Sequence, residues 1–248
     1  MKISSPPRTL VGCAGWSLPK SHQSAFPDSG THLERYAGRF PAVEINSSFY
    51  RPHQPATYAR WSDSVPDTFR FSVKVPKAIT HLQRLRNAEP LLDVFLGEAS
   101  SLGEKLGCLL VQLPPSLKFE PAIARRFFEA LRARTTVHAV CEPRHATWFN
   151  EEAGTLLEEM QIARVAADPA PVEAAAHPGG WRQVSYYRLH GSPRIYYSAY
   201  TKEFLQQLKE RIEADHAAGR KVWCIFDNTA EGAAISDALE LLTYPGIY

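Results

Sequence analysis

The chain has 248 residues, 44% of them hydrophobic and 22% charged, with a formal net charge of +2. That is globular composition, too balanced to act by itself as a nucleic-acid footprint. No apolar run reaches the roughly 18 residues a membrane helix needs, so no membrane partner is expected. The opening "MKISSPPRTLVGCAGW" lacks the apolar core of a secretion signal, and a cytoplasmic location is expected.

Short apolar runs rich in β-branched and aromatic residues predict strands at 9–16, 42–49, 69–76 and 108–114, then at 137–143, 163–169, 185–191 and 221–228. Amphipathic stretches separate most of them. In chain order these are "THLERYAGRF", "PATYARWSDSV", "AEPLLDVFLGEASSLGEKLG", "EPAIARRFFEALRAR", "NEEAGTLLEEMQ", "TKEFLQQLKERIEADHAAG" and "EGAAISDALELL", several of them opened by a cap-like Asn, Thr or Pro. The connection "APVEAAAHPGGWRQV" holds too much Pro and Gly for a long helix. Alternation of strand and helix implies a parallel sheet, and eight units in this length predict an α/β fold of the (β/α)8 TIM-barrel class. One domain over residues 1–248 is expected. The turn "GCAGW" after the first strand is not a dinucleotide fingerprint, so a doubly wound sheet is the weaker alternative and no cofactor is expected.

In such a barrel the site gathers where the strands end. Glu44 and Asn46 are two apart at the end of the second run, so they share a face. Ser72 and Lys74 share one on the third, and the fourth delivers Gln112. The fifth, "VCEPRHATW", gives Glu142, Arg144 and His145, the sixth Asp168, the seventh Arg188 and His190, and the eighth Asp227 and Asn228; the first ends at Trp16. Polar groups buried unpaired are costly, so a merely structural barrel would not collect so many. The four cysteines, Cys13, Cys108, Cys141 and Cys224, form no CxxC pair and read as buried core thiols, with Cys141 turned toward the helices.

The motifs "GCAGW", "VEINSSFYRP", "FRFSVKVPKAITH", "LGCLLVQLPPS", "VCEPRHATW", "YYRLHG" and "FDNT", in this order, resemble the YecE-like family, domain of unknown function 72. The resemblance implies a TIM barrel with no established activity, for which a likeness to apurinic endonuclease and sugar-isomerase barrels and nucleic-acid binding have been suggested. It marks Trp16, Glu44, Asn46, Tyr50, Lys74, His81, Gln112, Glu142, Arg144, His145, Trp148, Arg188, His190 and Asn228. Asp227 departs from the family's usual Asn and adds a carboxylate.

Glu142, Glu44, Lys74 and His190 are the candidate acid–base groups, with Lys74 expected beside a carboxylate that keeps it charged. Arg144 and Arg188 suit a phosphate or carboxylate, which favours a small anionic ligand such as a phosphorylated sugar, or nucleic acid. No HxH, HxxxH or HExxH spacing exists and cations share the site, so no metal is expected and an endonuclease-like metal cluster is an alternative only. A glycosidase would pair carboxylates, but the seventh strand ends in Arg188 and His190 rather than an acid. A non-catalytic binder of nucleic acid or a phosphorylated ligand is the alternative from a different class. The loop 191–201, "GSPRIYYSAYT", reads as a cover over the site, or less readily as a base-stacking platform.

Overall fold

A computed structural model describes residues 7–247. Residues 1–6, on which part of the leader reading falls, lie outside the described residues. The strands are β1 (Thr9–Cys13), β2 (Ala42–Ile45), β3 (Arg70–Lys74), β4 (Leu106–Gln112), β5 (His138–Glu142), β6 (Ile162–Arg164), β7 (Ala166–Asp168), β8 (Gly179–Gly180), β9 (Val184–Leu189) and β10 (Lys221–Phe226). The helices are α1 (His32–Ala37), α2 (Pro55–Asp63), α3 (Glu89–Ala99), α4 (Pro121–Arg132), α5 (Glu151–Glu159), α6 (Lys202–Ala217) and α7 (Ala233–Leu242). Their starts follow local chemistry. Asn150 accepts from the Ala153 N–H and Thr201 from the Phe204 N–H, while Pro55 and Pro121 open α2 and α4. The Pro- and Gly-rich sixth connection holds only a 3₁₀ turn, Glu173–Ala176, and the two-residue β8. Among the described residues no helix is long and apolar enough to cross a membrane.

The fold is α/β with parallel strands, β8 alone running antiparallel, against β6. The ladder is not one closed ring. It falls into a sheet ordered β1-β10-β9-β7 and a sheet ordered β2-β3-β4-β5-β6-β8. Two local features divide it. The expected sixth strand is interrupted at Val165, so β6 pairs with β5 while β7 pairs with β9. Between β1 and β2 the pairing shrinks to one bridge, Ala14 with Glu44, and the Gly15 N–H donates to the Glu44 carbonyl at 2.9 Å.

Alternation sorts the strand residues into two apolar layers. One layer, between strands and helices, includes Val43, Phe71, Val73, Cys141 and Leu189 with Phe127, Phe128, Leu156 and Leu208 of the helices. The other draws Leu10, Ala42, Leu110, Val140, Ala163, Tyr186, Trp223 and Ile225 from strands of both sheets. Cys13, Cys141 and Cys224 fall in the first layer and Cys108 in the second, all four buried as thiols.

The seam between β1 and β2 is closed by a side chain. The Tyr36 hydroxyl accepts from the Cys13 N–H at 2.7 Å and donates to the Ala42 carbonyl at 3.0 Å, standing in for a missing ladder bond. Burial pushes this phenol well above its usual pKa, so it keeps the proton it donates. Gly12 leaves the room: a Cβ there would lie 2.1 Å from the Ala42 carbonyl oxygen. Tyr36→Phe strands a buried donor and a buried acceptor, and is expected to cost about 2–3 kcal/mol in denaturant unfolding. A cost below about 0.5 kcal/mol would mean the seam does not depend on the hydroxyl.

Candidate functional site

Alternate residues of β9 and its exit, Tyr186, Arg188 and His190, face the interior, and the polar residues of the other strands converge on them. Arg188 is only 1% exposed. Its Nε lies 3.2 and 3.1 Å from the two Glu44 oxygens and its Nη2 2.8 Å from Glu44 Oε1. Nη1 reaches Glu142 Oε2 at 3.2 Å, and Nη2 also reaches Asp227 Oδ2 at 3.0 Å. One planar guanidinium therefore ties together β2, β5, β9 and the end of β10. Tyr186 lies beneath, its hydroxyl donating to Glu44 at 2.8 Å and meeting the Ser72 hydroxyl at 2.9 Å.

His190 bridges two of the same carboxylates, with Nδ1 at 2.9 Å from Asp227 Oδ2 and Nε2 at 2.8 Å from Glu142 Oε1. Arg144 approaches from the exposed side, its Nη2 at 2.6 Å from Glu142 Oε1 and 2.7 Å from His190 Nε2. Burial alone would raise the Glu142 carboxyl, but Arg188, Arg144 and His190 outweigh it and hold the group far below the carboxylate range. Asp227 is lowered in the same way, with Arg188 and His190 overcoming burial. The three carboxylates in turn keep Arg188 charged against the cost of its burial.

Lys74 differs from the expectation of a partnered lysine. It is 5% exposed, yet among the described residues its ammonium makes no ion pair or hydrogen bond and lies over the Phe49 ring, 4.3 Å from the centroid. Burial and then the Arg188 charge bring it down to about 8, while Glu44, Asp227 and Glu142 pull the other way. The carboxylates that would have held it charged are engaged by Arg188 instead. Asn46 lies one residue past Ile45, the partner of Val73, where the chain leaves β2 and enters a 3₁₀ turn. The Asn46 Oδ1 is buried without a hydrogen-bond partner.

The other residues singled out by sequence are dispersed. Gln112 is half-buried at the end of β4, in register with Glu142. Trp16 packs edge-on against Trp61, centroids 5.0 Å apart. His81 lies edge-on to Phe49 at 4.9 Å, and Tyr50 is 76% exposed. His145 caps the turn that follows it, accepting from the Thr147 N–H. Trp148 is a core residue rather than a wall of the site, 1% exposed and donating to the Leu117 carbonyl. Asn228 donates to the Ser198 carbonyl and to Asp237, tying the loop 191–201 to α7. In that loop Tyr200 accepts from the Gly191 N–H and donates to Asp168, and Arg194 covers Tyr197 at 3.7 Å; Tyr196 reaches the edge of His190 with centroids 6.0 Å apart.

Sequence reasoning noted Ser72 and Asp227 at the strand ends without giving either a catalytic or binding role, and it did not name Tyr186. The signal for Tyr186 was alternation, since it stands two residues before Arg188. Among the described residues no three or more His, Cys, Asp and Glu are set to hold a metal ion. The guanidinium of Arg188 fills the centre that the three carboxylates enclose.

The family profile described as "Protein of unknown function DUF72" matches residues 10–247. The chain belongs to the DUF72 family. Its relatives include the UPF0759 protein YecE of Escherichia coli K12, 33% identical over 172 residues, which cover 66% of this chain and 61% of YecE. The chain thus spans less than two thirds of that relative. The UPF0759 protein YunF of Bacillus subtilis is 21% identical over 94% of this chain and 93% of its own length. Crystal structures of DUF72 family proteins from Enterococcus faecalis (TM-score 0.79, 21% identity, 95% of this chain and 94% of that one) and Thermotoga maritima (TM-score 0.77, 23% identity, 95% and 98%) share the fold.

Because Glu142 and Asp227 are lowered on folding, they contribute stability that is fully present above the unfolded carboxyl range and is lost progressively as pH falls below it toward their folded values. Denaturant midpoints are expected to hold from neutral pH down to about 4–5 and then to fall. Arg188→Met, which strands the carboxylates, is expected to cost about 3–5 kcal/mol at pH 7 and to regain stability, relative to wild type, on acidification. A loss independent of pH would contradict the buried network.

Proposed function

We propose that this DUF72 chain is an acid–base enzyme whose small anionic substrate binds at Lys74. The two sheets are taken as the halves of one (β/α)8 barrel and the chain as one domain, with the ion network closing the barrel below its mouth. The observation that carries the reading is the contrast between cations. Arg188 and Arg144 are tied to carboxylates, and Arg188 has none of its three nitrogens without a partner. Among the described residues the Lys74 ammonium is engaged by no carboxylate, and the side-chain Oδ1 of Asn46 is buried without a partner.

Proton transfer favours a group whose pKa lies near working pH. Glu142 is held too low to be an effective base, so its role is to fix Arg188, Arg144 and His190. Lys74, at about 8, is mostly charged at neutral pH and divides between its two forms near pH 8, which suits proton transfer to or from a bound anion. A substrate anion stabilises the ammonium and orients the reacting group, while Arg144 and Gln112 flank the approach. Asp227 and Glu142 hold the His190 ring from both sides, which fixes its orientation. A nucleic-acid partner is less favoured, because in the loop 191–201 Tyr197 is covered by Arg194 and Tyr200 is buried, leaving Tyr196 as that loop's one open tyrosine ring.

Inorganic sulfate, whose own charge is constant across the range, probes the site. Its affinity by titration calorimetry is expected to fall as pH rises through about 8, where Lys74 deprotonates. Lys74→Met is expected to weaken binding by about tenfold or more at pH 7 and to abolish the pH dependence, while Lys74→Arg stays charged and keeps binding at high pH. Unchanged binding in Lys74→Met would overturn the reading. Sulfate binding at Lys74 without turnover on a panel of sugar phosphates and organic acids would favour the non-catalytic binder.

A further inference from the structure

A cleft is walled in part by Phe49, whose ring also carries the Lys74 ammonium. After β3 the chain makes one turn of π-helix, Ala78–Leu82, and then holds three non-glycine residues in the left-handed region: Arg84 (φ 51°), Leu85 (φ 67°) and Asn87 (φ 48°). Wide turns of this kind are uncommon and gather at functional sites. This one turns Ile79 and Leu82 toward α3 and opens a cleft of about 350 Å³, with Phe49 and Phe95 among its walls. Among the described residues five large hydrophobic side chains are exposed, and three of them edge this cleft: Tyr50 (76%), Leu82 (70%) and Val94 (59%). Apolar side chains left in water around one concavity mark a binding site more than chance exposure does.

Charge at the rim selects the occupant. Arg51 and Lys77 stand exposed at the edge, and among the described residues neither makes an ion pair. Glu98 is the single acid of the lining, and burial raises its carboxyl toward the neutral form. The volume fits a small molecule. A second copy seated symmetrically would bring the Arg51 and Lys77 of one chain toward those of the other.

We propose that this cleft is a ligand site for an amphiphilic anion, whose flat apolar body lies among Tyr50, Leu82 and Val94 while its anionic head meets Arg51 and Lys77. The site is separate from the Lys74 site, and Phe49 belongs to both: its ring carries the Lys74 ammonium and also lines the cleft. The inference does not rest on the reading of Lys74.

Anilinonaphthalene sulfonate, a fluorescent apolar anion, is the probe, and neutral phenylnaphthylamine is its uncharged comparison. The expected result is one saturable dye site. Val94→Glu and Leu82→Glu, both at exposed positions and so compatible with folding, are each expected to weaken it about tenfold. The double change Arg51→Glu with Lys77→Glu is expected to weaken the sulfonate while sparing the neutral amine, and Lys74→Met leaves dye binding unchanged. Absence of a saturable site, or binding indifferent to Val94→Glu and Leu82→Glu, would overturn the proposal. An equal effect of the double change on both dyes would overturn the anionic head. Sedimentation showing a dimer that Val94→Glu disperses would make the cleft an interface between copies instead.

Discussion

The charged cluster where β2, β5, β9 and β10 end is arranged around one guanidinium. Arg188 is almost without solvent, and an ion of that size out of water costs several kcal/mol unless its charge and its donors are all met. Glu44, Glu142 and Asp227 meet them, from β2, β5 and the end of β10, so a requirement of charge also fixes where those elements end relative to one another. A lysine could not replace it, because a single ammonium has no planar fork to span carboxylates from separate strands. The apolar layer of Leu10, Ala42, Leu110, Val140 and Ile225 lies along the same inward faces, and Tyr186 links the two by donating to Glu44.

A closed network of this kind has consequences for chemistry. Glu142 and Asp227, held low by Arg188 and His190, are poor bases, and an arginine whose donors are met by carboxylates is a poor ligand for an incoming anion. What remains chemically available is what the network does not consume: the Lys74 ammonium, the side-chain Oδ1 of Asn46, and the exposed side of Arg144. On the proposed reading the network is the rigid support, and Lys74 is the group that acts. The same division explains why the richest cluster of charge in the sequence, around Glu142, contributes position more than proton transfer.

Much of this was legible in the sequence because β alternation is a strict rule. Spacing by two set Arg188 and His190 on one face, and Glu44 on one face with Asn46; in the structure Arg188 meets Glu44 and Glu142, and His190 meets Glu142. Other features could not be read that way. The Tyr36 hydroxyl that joins β1 to β2 comes from a helix, and the break at Val165 leaves no mark in composition. Trp148 follows a charged cluster in sequence but turns into the core, because a 3₁₀ turn capped by His145 reverses its direction. The partner of Lys74 was misjudged for a physical reason: carboxylates within reach in sequence logic were already claimed by a better donor. Asp227 belongs to the network through contacts with residues 37 and 39 positions away in the chain, which spacing does not reveal.

The central claim is that Arg188 is closed and Lys74 is open. The most direct measurement is a crystal structure of the protein soaked in a tetrahedral oxyanion such as selenate, located by its anomalous signal. The expected result is an anion within hydrogen-bond distance of Lys74 Nζ, with the Arg188 contacts to Glu44, Glu142 and Asp227 intact. An anion held by Arg188 with those pairs broken, or a Lys74 ammonium found paired to a carboxylate, would contradict it.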